Sequence, residues 1–261
     1  MKKKILYLLT CVGLCWSSCT NEVDEFIGNV EPSTRSVSTA LNANLASLFT
    51  GGAPTLTSAE IKEVNDAYAK MTSINCYRNI DEAVRNKTSY AGTIFLDDTY
   101  ASAYFRKGSL AFPPYGILAS SMEHEFIHMY QRDVQGKKVD TDKEKRDTGM
   151  MEFELAFYQG IIRYIAGYSW TFKGEDGDPS YQSLWTSGLT DPSLIPQYER
   201  EFQTYVASIC ANGKPTSIDI NEFVKWSNIF GEYSRGYSGK GYKFGNYDYG
   251  TSCINSLLKL Y

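Results

Sequence analysis

Histidine is almost missing from this chain of 261 residues, which has only two. A site built on three imidazoles is therefore excluded at the outset. Cysteine is scarce as well: there are six, and no two form the Cys-x-x-Cys pair of a thiolate metal cluster. Basic residues are not in excess. Lys and Arg number 26 against 30 Asp and Glu, a formal net charge of −4, so the composition supplies no general attraction for nucleic acid or an anionic membrane. Past the N-terminus, no apolar run reaches the length of about 18 residues that a membrane-spanning helix requires. What the chain does contain is 43% hydrophobic residues and 20 tyrosines. That composition is not that of a disordered protein, and the length suits one sizeable core.

The first residues read as an address. Lys2, Lys3 and Lys4 form a positive region, the apolar run 5–14 follows, and Ser17 and Ser18 precede Cys19. This is the layout of a secretory signal. A cysteine directly after small residues resembles the lipobox of bacterial lipoproteins, which implies lipidation at Cys19 and a place in the bacterial cell envelope, on the periplasmic or the surface face. Residues 1–18 are expected to be removed, 19–45 to be a flexible tether rich in Ser, Thr, Asn and acids, and 46–261 to be the folded domain. Without the three lysines the formal charge becomes −7. Of the remaining cysteines, Cys210 and Cys253 are open to bridging or to service as buried free thiols, as is Cys76 for the latter.

Thr57 and Glu60 read as a capping box opening a helix to about Lys70, with Ile61, Val64, Ala67, Tyr68 and Met71 at helical spacing. A short helix is expected over 80–86. Residues 90–96 read as a strand, and 102–112 as a second strand stopped by Pro113 and Pro114. Helices are expected over 117–132, 149–166, 194–211, 218–230 and 251–261. A charged loop occupies 134–147, irregular surface 174–192, and a Gly- and Tyr-rich segment 231–250.

One constellation carries chemistry. His124-Glu125-Phe126-Ile127-His128 is an HExxH motif on an expected helix, and it uses both histidines of the chain. Four residues make just over one helical turn, so both imidazoles leave from one face and can grip one ion. Two histidines scattered at random would fall four apart with Glu between them about once in two thousand such chains. Zinc suits imidazole and leaves a position for water when the protein supplies three ligands; Glu125, one residue round from His124, is placed to take that water's proton.

The third ligand has to come from elsewhere. Metzincins need HExxHxxGxxH, but Gln131 stands at the glycine position and Val134 at the histidine position, so that class is excluded. Glu152 and Glu154 both lie on the next expected helix. The unit over roughly 90–166 resembles the gluzincin type of zinc metallopeptidase, in which a Glu on the helix after HExxH completes the site. The resemblance implies a zincin-like α+β fold with a small sheet, an active-site helix and a mostly helical C-terminal half. It implies Zn2+ held by His124, His128 and Glu152, with Glu125 as general base in the hydrolysis of a protein or peptide substrate. Glu154 is the rival ligand, and whichever glutamate is not used is placed to orient a histidine through its free ring nitrogen. At the position four residues after Glu152, where the resemblance implies an acid that supports the site, this chain has Ala156.

By the same resemblance, the strand around 109–112 would be the sheet edge along which an extended peptide lies. The oxyanion donor would come from Tyr233, Tyr237, Tyr242, Tyr247 or Tyr249. The competing reading is a zincin-fold surface lipoprotein that binds a protein or glycan partner without turning it over. Weaker signals point elsewhere. Asp140, Asp142 and Glu144 lack the glycine that a calcium loop needs at its sixth position, and Glu175, Asp176 and Asp178 offer weak calcium ligands at best. Trp170, Trp185 and Trp226 suit a core or an interface better than sugar stacking.

Overall fold

The computed structural model describes residues 40–100, 102–137, 145–165, 171–173, 179–181, 192–233 and 242–261. The expected signal segment, Cys19, most of the expected tether, the Asp140–Glu144 acids, the Glu175–Asp178 acids, Trp170, Trp185 and Tyr237 lie outside these residues. The architecture is α+β, mostly helical, with one small sheet beside the helix that carries HExxH.

Helix α1, Ala43–Leu48, begins inside the stretch expected to be tether, and it buries Leu45 and Leu48. Helix α2, Ser58–Thr72, opens on the capping box: the Thr57 hydroxyl accepts from the Glu60 N–H at 3.3 Å, and the Thr57 N–H donates to the Glu60 carboxylate at 2.6 Å. Its apolar stripe of Val64, Ala67, Tyr68 and Met71 faces inward, as the spacing required. Helix α3 runs over Asn75–Lys87, well beyond the short helix expected. Both α2 and α3 pack on α4, Ala119–Met129, the HExxH helix.

The sheet has the order β1-β3-β2, with β1 at Ile94–Leu96, β2 at Tyr104–Arg106 and β3 at Ser109–Phe112. Two expectations are corrected here. The stretch 102–112 is a hairpin, not one strand, because Lys107 and Gly108 both take positive φ (50° and 77°) and make a two-residue turn. Glycine at 108 supplies that conformation without steric cost, and the mirror-image turn matches the twist of the strands. The strand at 109–112 is not an edge. It lies between β1, which runs parallel to it, and β2, antiparallel, so its backbone is taken on both sides and the outer strands are β1 and β2.

The second half is arranged round α5, Lys145–Ile165. Met150, Met151, Phe153, Leu155, Phe157, Tyr158, Ile161 and Ile162 are all buried, so this helix is apolar on nearly every face. A helix of that kind has to be enclosed. Helices α4, α6 (Ile195–Ile209), α7 (Ile220–Tyr233) and α8 (Ser252–Leu258) enclose it. Rings interlock where α5, α6 and α7 meet: Phe153 lies 5.0 Å from Phe223, Phe157 5.5 Å from Phe202, and Phe202 5.7 Å from Trp226. Trp226 is a fully buried core residue. Two short ribbons, β4 (Thr171–Lys173) with β5 (Pro179–Tyr181) and β6 (Cys210–Ala211) with β7 (Lys214–Pro215), complete the described elements. Cys76 and Cys253 are buried free thiols, and Cys210 is a partly exposed one. Among the described residues, no helix is long and apolar enough to cross a membrane.

The segment 242–249 returns across α7 and the start of α5. It is seated by Gly231 on α7: a Cβ there would stand 2.2 Å from the Phe244 ring, and one on Gly149 of α5 would stand 3.0 Å from the Lys243 carbonyl oxygen. Gly231→Ala should therefore destabilise the protein. Overpacking costs about 1–3 kcal/mol, against at most about 1 kcal/mol gained in helix propensity. Thermal unfolding of the metal-free chain checks this, with a Tm several degrees below wild type as the expected outcome.

Candidate metal centre

Helix α4 fixes both imidazoles because its apolar residues leave it no choice of orientation. Met122, Phe126, Ile127 and Met129 are fully buried against the helices beneath, which turns His124, Glu125 and His128 toward α5 and β2. A second tie runs between the two ligand-bearing helices: Arg163 on α5 stands 3.8 Å from the carboxylate of Glu123 on α4, both largely buried. Burial pushes the Glu123 carboxyl up, and the Arg163 charge opposes this.

On α5, Glu152 is the glutamate that meets the histidines. The Nε2 atoms of His124 and His128 are 3.1 Å apart. One Glu152 oxygen lies 3.3 Å from His128 Nε2, and the other lies 3.7 Å from His124 Nε2. Taking one ligand atom from each residue, the three atoms fall within 4.8 Å of one another. Ligands at roughly 2.0–2.1 Å from a tetrahedral ion stand about 3.3 Å apart, so these separations outline three corners of such a site. Between a sixth and a quarter of each ligand side chain is open to solvent. The fourth corner is therefore accessible. Two imidazoles with one carboxylate suit a borderline transition ion far better than calcium or magnesium, which favour oxygen on all sides. The triad can hold a metal ion.

Glu125 stands beside this triad and is not one of its three ligands. It is 5% exposed, its carboxylate is 3.9 Å from His124 Nε2, and it accepts the backbone N–H of Phe105 on β2. Burial raises its pKa to about 8, with the Glu152 charge adding to the shift and His128 and the Phe105 N–H opposing it. Burial lowers His124 to about 4, helped by its neighbour His128. For His128 burial also pulls downward, but the charge of Glu152, hydrogen bonds that the ring donates to the Glu152 carboxylate and the Gln131 amide oxygen, and the charge of Glu125 outweigh it, and the group is raised to about 9.

Glu154, the rival ligand, faces away from the imidazoles into full burial. One of its oxygens accepts from Gln131 Nε2 at 2.8 Å and from the Tyr249 hydroxyl at 3.0 Å. Of the tyrosines considered as oxyanion donors, Tyr249 is thus committed to Glu154. Tyr247 is exposed, Tyr242 packs against Gly149, and the side chain of Tyr233 lies outside the described residues. Sequence reasoning missed two residues that touch the site. Gln131 is fully buried, and its only sequence signal was a place three residues after His128, on the same helix face. Phe105 acts through its backbone and carried no signal at all.

In the metal-free protein at pH 7, the raised pKa of His128 means that a proton occupies a ligand nitrogen. A cation has to displace it, so metal affinity should rise with pH up to about 9, and uptake at pH 7 should release at least one proton. Calorimetry in buffers of different ionisation enthalpy measures that number; zero protons released would contradict this description of His128. No family model, no curated protein and no solved structure matches the chain, so the geometry of the site alone bears on what it does.

Proposed function

We propose that the protein is a zinc-dependent peptidase of the gluzincin type, with a zincin-like fold, anchored by lipid at Cys19 in a bacterial cell envelope. The observation that carries this reading is the triad of His124, His128 and Glu152 at tetrahedral spacing, with a second acid, the buried Glu125, beside it. Zinc held there would polarise the scissile carbonyl and acidify a water molecule.

The chain's own residues do the rest. Glu125 accepts the proton of the attacking water and later passes it to the leaving amine. Its pKa, raised by burial, suits both halves of that duty, and a cation bound at the triad would draw it down toward the ionised form. Strand β2 lies next to Glu125, and its outward-facing N–H, that of Phe105, holds the Glu125 carboxylate in place. The substrate class proposed is protein or peptide.

Binding without turnover is the second reading. It is favoured by Tyr249, whose hydroxyl goes to Glu154 and not toward the triad, so this residue does not supply the oxyanion donor that turnover requires.

Elemental analysis of the purified protein should find close to one zinc per chain, lost in His124→Ala and in Glu152→Ala. Glu125→Gln should retain the zinc and lose at least about a hundredfold in turnover of a peptide substrate. Full activity of that variant would overturn the mechanism. Zinc bound with no chelator-sensitive cleavage of casein or of peptide libraries would favour the binding reading.

A further inference from the structure

Metal-bound imidazoles need the ring nitrogen that faces away from the ion to be held, and here the holder is an amide. Gln131 Oε1 lies 2.8 Å from His128 Nδ1. The other end of the same amide, Nε2, donates to Glu154 at 2.8 Å and to the Met151 carbonyl at 3.0 Å. Gln131 is fully buried, so its polar atoms have no water to turn to.

The orientation of this amide follows from its partners. The Met151 carbonyl can only accept, whatever the protonation of Glu154, so the amino end of Gln131 has to face it. The carbonyl end then faces His128, which obliges Nδ1 to keep its hydrogen. The proton that a metal ion displaces is then the one on Nε2, and the lone pair it uncovers is directed at His124 and Glu152. A flipped amide would set oxygen against the Met151 oxygen and the Glu154 carboxylate, and would leave the His128 proton on the nitrogen that a metal needs.

The backbone is adapted to this contact. Directly after α4, residues Tyr130–Val134 form a π-helical turn, with the Gln135 N–H bonded to the Tyr130 carbonyl at 3.1 Å. Such widened turns cost regularity and redirect side chains, often at functional sites. From the far end of the chain, Tyr249 donates to Glu154, and Lys137 fixes Tyr249 in turn by donating to its carbonyl at 2.8 Å and standing 3.7 Å over its ring.

We infer that Gln131, backed by Glu154 and Tyr249, is the positioning device of this metal centre: an amide relay that sets the His128 tautomer and passes the support of a buried carboxylate on α5 to a ligand on α4. The inference rests on the proposed zinc site. It assigns to Glu154 the support that Ala156 cannot give, at one remove from the histidine it serves. An amide oxygen is a weaker acceptor than a carboxylate, so His128 gains orientation from this relay with little added basicity.

The test measures zinc affinity by chelator competition on the full chain, together with the visible spectrum of the cobalt(II)-substituted protein and the Tm of the metal-free form. Gln131→Met, close in size, should weaken zinc binding about 10–100-fold and alter the cobalt bands. Glu154→Leu should act likewise, and Glu154→Gln, whose amide oxygen can still accept from Gln131, should recover most of the loss. Tyr249→Phe leaves α4 untouched and should weaken zinc about three- to tenfold. It decides the matter if Gln131→Met proves unfolded. Wild-type affinity and an unchanged cobalt spectrum in a folded Gln131→Met, or in Tyr249→Phe if that variant has to decide, would overturn the relay while leaving the triad standing. A wild-type chain that takes up no zinc would overturn the triad and the relay together.

Discussion

The burial of α5 on nearly every side is the constraint on which the rest of the structure depends. A helix with Met150, Phe153, Phe157, Tyr158, Ile161 and Ile162 inside has little of its surface to leave in water, so α4, α6, α7 and α8 have to close round it. Once enclosed, the helix cannot rotate without tearing open the contacts of Phe153 and Phe157 with Phe223 and Phe202. Its polar residues are held as firmly as its apolar ones. Glu152 is presented to the imidazoles, Glu154 to Gln131, and Arg163 to Glu123, all on the strength of apolar packing elsewhere along the same helix.

This explains why a site of so few residues is well defined. Each ligand sits on a helix whose orientation is set by buried side chains, and the metal-free triad already has the spacing that an ion requires. The cost is electrostatic. Two carboxylates, Glu125 and Glu152, share a poorly solvated pocket with two imidazoles, and burial displaces His124 downward and Glu125 upward. A divalent cation bound there would relieve much of this strain by supplying the charge that the cluster lacks.

Much of the first helical layer was legible in the chain. The Thr57–Glu60 box, the stripe from Val64 to Met71 and the His124–His128 spacing are local patterns, and local patterns survive folding because they depend on residues within one or two turns. The hairpin at 104–112 was hidden because its strands span three and four residues, too few for alternation to show, and its turn puts Lys107 at positive φ without an Asn to announce it. The π-helical turn after His128 has no sequence signature, since it arises where one helix has to accommodate another.

The sequence by itself determined that two imidazoles would share a helix face, that an acid would stand next to them, and that any third ligand would not be a histidine, because the chain has no third one to offer. Only the tertiary structure decided which carboxylate. Glu152 and Glu154 lie roughly 200° apart round their helix, and the angle at which α5 is clamped selects between them. That angle is set by rings on α6 and α7, some 50 to 80 residues further along the chain, and no local pattern near the glutamates encodes it. A longer separation, 95 residues, lies between Tyr249 and the carboxylate it holds: the contact exists because α5 is wrapped, and wrapping is a property of the whole core.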